Sequence, residues 1–140
     1  MSYQRPGRLV HHGVCDVQSK RKSEFDQERG HGVHVVDLPT KTISMTIGDL
    51  EPGQSTRTHR HNYEAVIYVI RGTGYSLIEG ERVDWRVGDA FYVPVWAWHS
   101  HVNVGDTKAR YIAAENAPLL QNMGNIALRE EAKINEECVV

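Results

Sequence analysis

The chain is short of cysteine. Its 140 residues include two, Cys15 and Cys138, near opposite ends and without the close spacing of a metal or redox pair. That argues against a disulfide-stapled scaffold and reads as free thiols in a reducing compartment. Long apolar runs are also missing, so no segment reads as a membrane span. The opening MSYQRPGRLV lacks the apolar stretch of a secretion signal. The expectation is a cytoplasmic protein without a membrane partner. Nor does one sign of charge dominate: 16 basic against 18 acidic residues leave a formal charge of −2, which argues against a nucleic-acid partner. The densest basic cluster, Lys20-Arg21-Lys22, is bracketed by Asp16, Glu24 and Asp26 and reads as a solvated patch.

Helical periodicity is scarce as well. Residues 1–31 are polar and charge-rich, with no sustained period, and read as an extended arm. From Val33 the chain alternates. VHVVDL and TISMTIGDL are rich in β-branched residues and separated by Pro39, and Glu51-Pro52-Gly53 marks a turn. AVIYVI is apolar on both faces, as in a strand inside a sandwich or at a dimer interface. YSLIEG, RVDWRVG, AFYVPV, WAWHSHVNV and KARYIAAEN follow, divided by glycine-bearing turns. Short strands at this even spacing predict an all-β barrel or sandwich. Only APLLQNMGNIALREEAK has helical spacing, with Leu119, Leu120 and Met123 on one face and Pro118 suited to a first turn. The chain thus divides into an arm over 1–31, a β-barrel over 32–116, and a helix with a tail over 117–140. At this length one domain buries a core unaided.

Two islands of histidine carry the chemistry. His59 and His61 flank Arg60, and in a strand residues two apart face the same way. Both imidazoles therefore share a face with Arg57, while Thr58 and Arg60 lie on the other. Neutral imidazole suits first-row transition metals, although such pairs are also common on surfaces. About 40 residues on, His99, His101 and Asn103 repeat the two-residue spacing. In a barrel the two islands are placed to face each other across the interior. His31 and His34, and the adjacent His11 and His12, match neither island and read as surface residues.

With both islands in view, residues 42–115 resemble the cupin superfamily. Gly53, His59, His61 and Gly72 match its first signature, and Gly88, Pro94, His99 and Asn103 its second. The resemblance implies an antiparallel jelly-roll barrel. Two departures are informative. Ala65 stands where the first signature has glutamate; Glu64 is one position early, a slip that sends a side chain to the opposite face unless a bulge restores it. Trp96 stands where glycine is common. Loss of the carboxylate leaves a three-histidine set, as in the gentisate dioxygenase branch, which has a similar W-x-W-H-x-H-x-N stretch. Those enzymes are ring-cleaving Fe(II) dioxygenases of hydroxylated aromatic acids, built from two cupin domains where this chain has room for one.

The resemblance implies that His59, His61 and His99 hold a divalent metal. Iron(II) is the first choice, and manganese, nickel, copper and zinc are compatible with the same ligands. His101 is then a fourth ligand, or an acid–base group beside the metal, or a rim histidine bonded to Asn103. Arg57 is either the anchor for a substrate carboxylate or a rim ion pair. Trp98 or Trp96 lines an aromatic pocket or belongs to the core. Tyr63 and Gln54 are further candidates for substrate contact. The expected partner is a small-molecule substrate, and the two-sided AVIYVI strand favours a homodimer. Two other readings remain: a metal- or ligand-binding cupin without turnover, serving as sensor or store, and a metal-dependent isomerase or lyase.

Overall fold

Strand alternation organises the molecule. In the strand Ala65–Arg71, the side chains of Ala65, Ile67 and Val69 are buried, while Val66, Tyr68 and Ile70 stand outside at 52%, 48% and 39% exposure. One strand therefore serves an interior and an apolar outer face. The computed structural model describes residues 1–13 and 31–133. Cys15, Cys138 and the Lys20–Lys22 cluster lie outside the described residues, as does most of the proposed arm.

Among the described residues ten strands and one short helix follow in order: β1 (Gly32–Val35), β2 (Ser44–Leu50), β3 (His59–His61), β4 (Ala65–Arg71), β5 (Thr73–Ile78), β6 (Glu81–Arg86), β7 (Ala90–Val93), β8 (His99–Asn103), β9 (Ala109–Glu115), α1 (Ala117–Asn122) and β10 (Arg129–Glu131). They form two antiparallel sheets, ordered β1-β2-β9-β4-β7 and β10-β3-β8-β5-β6. Leu50, Ile67, Val69, Trp85, Val93 and Tyr111 fill the core they share. The expected all-β jelly roll is what the chain forms, as a two-sheet sandwich. No helix among the described residues is long and apolar enough to cross a membrane.

The signature residues divide by task. Gly72 adopts φ +82, and a Cβ there would lie 2.8 Å from Ala109 Cα, so the β4–β5 turn needs glycine. Asn103 is buried and braces the end of β8. Its amide donates to the carbonyls of Leu50 and Thr107, and its Oδ1 accepts from Gly105 N–H. The histidines are left for chemistry.

One expectation, for His31 and His34, needs correction, and two others gain detail. The helix ends at Asn122 and buries no residue, and Met123 is exposed. Gly124 (φ +120) and Asn125 (φ 56) reverse the backbone there, and the chain returns to the second sheet as β10. His31 and His34 are not surface residues. Both are buried: His34 Nε2 lies 3.1 Å from Asp49 Oδ2, and Asp49 is also gripped by Arg110. That cluster ties β1, β2 and β9 together. Trp96 and Trp98 are not core: they sandwich the Arg60 guanidinium at 4.2 and 4.3 Å from their ring centroids.

Candidate metal centre

Register brings the two histidine islands together, side by side on neighbouring strands of one sheet and not across the interior as expected. β3 pairs with β8 so that His59 lies directly opposite His99, and His61 follows two residues along on the same face. The ring centroids of His59 and His99 are 4.1 Å apart, and those of His61 and His99 are 4.8 Å apart. One ring nitrogen from each of the three lies within 4.8 Å of the others, and all three residues are buried.

Each of these rings is held in one tautomer by the backbone. His59 Nδ1 meets the Arg57 carbonyl at 2.7 Å, His61 Nδ1 the Tyr63 carbonyl at 2.7 Å, and His99 Nδ1 the Ala97 carbonyl at 2.9 Å. A carbonyl only accepts, so Nδ1 carries the proton and donates it. Nε2 is left with its lone pair, as a metal ligand requires. Burial lowers the pKa of His59, with the neighbouring His99 and then Arg129 adding to the effect; burial likewise lowers His99. Neutral, converging imidazoles fit a divalent first-row cation. Among the described residues no carboxylate joins them: the buried side chain at the departure is Ala65, and Glu64 points outward.

His101 belongs to the same wall but not to the triad. Its Nδ1 lies 2.7 Å from Ser76 Oγ, directly across the β5–β8 pair, and Ser76 Oγ also accepts the Trp85 indole N–H at 2.9 Å. Gly74, with no side chain, leaves the space that the Trp85 ring occupies. His101 is fully buried, which holds it neutral well below its ordinary pKa, and the His99, His31 and His61 rings reinforce this.

A cavity of about 40 Å³ opens on the triad. His31, Tyr111, Glu115 and Arg129 line it alongside the four histidines; the sequence reading puts His31 on the surface and does not single out the other three. His31 stacks on Tyr111 and lies 3.1 Å from its hydroxyl. The remaining candidates lie elsewhere. Arg57 has an exposed side chain outside the cavity lining and contributes its backbone carbonyl. Tyr63 stacks on His61 with centroids 4.1 Å apart and also lies outside the lining. Gln54 Oε1 accepts the Glu51 N–H within the turn. Trp98 is half-buried, lies outside the cavity lining and packs on Arg60.

A two-sheet jelly roll with a three-histidine cluster at the β3–β8 pair defines a class of protein, and the chain belongs to the cupin domain family, whose model matches residues 46–115. Among its curated relatives, a 5-aminosalicylate 1,2-dioxygenase from Comamonas sp is 38% identical over 91 residues, which is 65% of this chain and 24% of the relative. A gentisate 1,2 dioxygenase 1 from Aquipseudomonas alcaligenes is 37% identical over 70 residues, 49% of this chain and 20% of the relative. The chain thus matches a quarter or less of the length of these relatives. The crystal structure of a salicylate 1,2-dioxygenase from Pseudaminobacter salicylatoxidans superposes with a TM-score of 0.72 at 22% identity, covering 86% of this chain and 37% of that one.

Proposed function

We propose that this chain is a metal-dependent cupin that acts as an Fe(II) dioxygenase on a hydroxylated aromatic or similar small acid. The observation that carries the reading is the triad. His59, His61 and His99 converge in a buried site with each Nδ1 spent on a carbonyl and no carboxylate in the set. An all-neutral ligand set leaves the charge of a divalent ion uncompensated, which favours an anionic substrate beside it. The likeness to dioxygenases of aromatic acids agrees with that chemistry. Iron, when bound, supplies the redox chemistry for dioxygen. The chain's part is to hold three imidazoles rigidly, exclude water behind apolar Ile67, Ala65 and Ala113, and present His101 as a proton-handling group fixed at Nδ1 by Ser76. We further propose that the chain works as a homodimer.

The test has two parts. Protein loaded anaerobically with iron should consume oxygen with at least one of gentisate, salicylate, hydroxynaphthoate or catechol; silence with all four overturns the dioxygenase reading. His59→Ala should lose its metal by elemental analysis, whereas His101→Ala should keep it. A second reading is favoured by the cavity's small volume: a cupin that binds a metal and a small ligand without turnover. Retained metal with no oxygen uptake selects it.

A further inference from the structure

β10 carries more than an edge. It pairs with β3 so that Arg129 lies opposite His61 and Glu131 opposite His59. Directly opposed residues share a face, so both side chains project to the side of the imidazoles. Arg129 is the one arginine or lysine among the described residues lining the cavity, and its side chain is 20% exposed. Its charge acts on both His59 and His99.

The way Arg129 is held matters. Its Nε donates to Glu131 Oε1 at 2.9 Å, and among the described residues neither Nη1 nor Nη2 makes a hydrogen bond. Glu131 Oε2 is buried without a partner. Arg110 shows what a self-sufficient pair looks like here: it grips both oxygens of Asp49 through two nitrogens. Arg129 and Glu131 are joined at one corner only. The outer edge of the guanidinium, the edge that binds a carboxylate in bidentate fashion, makes no hydrogen bond among the described residues, and Arg129 lines the cavity.

We propose that Arg129 is the anion-recognition residue of this site, binding the carboxylate of a small organic acid through Nη1 and Nη2 while Glu131 fixes the guanidinium through Nε. The proposal deepens the metal-centre reading and rests on it for the second anchor point, since an acid gripped at Arg129 is directed toward the three imidazoles. It reassigns to β10 the role that strand alternation suggested for Arg57.

Benzoate and benzamide have nearly the same shape and differ in charge, so their relative affinity reads the anion site with or without metal. Ligand-observed NMR titration of the full chain should show wild type preferring benzoate by at least tenfold, about the worth of one charge-assisted bidentate contact. Arg129→Gln should abolish that preference while leaving benzamide binding unchanged. Arg129→Lys, which keeps the charge and loses the fork, should retain an intermediate preference, and a far-UV spectrum of each variant checks the fold. No preference in wild type, or one that survives Arg129→Gln, overturns the proposal. Metal content measured on the same samples separates the two failures. Wild type that takes up no metal sinks the metal centre, while the benzoate preference still decides Arg129.

Discussion

Trp96 adopts φ 65, a left-handed conformation in which a side chain costs about 1–2 kcal/mol. Glycine is common in cupins at this place, and the backbone explains why. Here the indole is retained on the exterior, stacked on Arg60, while the Trp96 N–H donates to the His61 carbonyl at 2.8 Å. Trp96→Ala and Trp96→Gly both lose the stack but differ in left-handed strain. The glycine variant should be the more stable of the two by about 1 kcal/mol in urea denaturation; equal midpoints would refute the strain. The triad was legible at this scale because two-residue spacing is a property of strands. What locks it was not, because the Nδ1 partners are backbone carbonyls and every residue has one. His31 was missed for a related reason. Its three-residue offset from His34 has no meaning in a strand pattern, and its burial depends on Tyr111, 80 positions away.

At the level of elements, turns and alternation were readable from residue types, and β2 through β9 follow them. The β4–β5 turn is the most tightly constrained. Gly72→Ala would force a side chain onto a positive φ and push its Cβ against the Ala109 backbone, which cannot rotate away. A loss of about 2 kcal/mol or more is expected, visible as a lower melting temperature. The last stretch is helical only over Ala117–Asn122. Its apolar spacing resembles a helix, but the reversal at Gly124 and Asn125 is set by backbone conformation, and β10 finds its partner in β3, about 70 positions earlier. Pairing over that distance leaves no local trace, so Arg129 was hidden inside a helical-looking window.

For the whole molecule, the cluster of neutral histidines makes stability depend on pH. Burial lowers the pKa of His59, His99 and His101 in the folded chain, whereas the ordinary value is 6.5. Above that value both states are neutral at these rings and stability is insensitive to pH. Below it the unfolded chain takes up protons that the fold refuses, so stability falls by up to about 1.4 kcal/mol per pH unit for each histidine. Metal-free protein should show a urea midpoint that drops steadily from pH 6.5 to 5. A flat profile would mean that the rings become protonated without unfolding.

β4 also carries a consequence for how this protein can change. Its inward Ala65 and Ile67 line the cavity, and its outward residues, with Tyr92 of β7, make an exposed apolar surface, the face we assign to the proposed homodimer. Tyr68→Glu should turn a dimer into a monomer in sedimentation velocity without altering metal content, and an unchanged sedimentation coefficient counts against docking there. Because neighbouring positions on one strand face opposite sides, a substitution on the outer face need not disturb the cavity. A single-residue insertion in β4 would exchange the two surfaces and damage both at once.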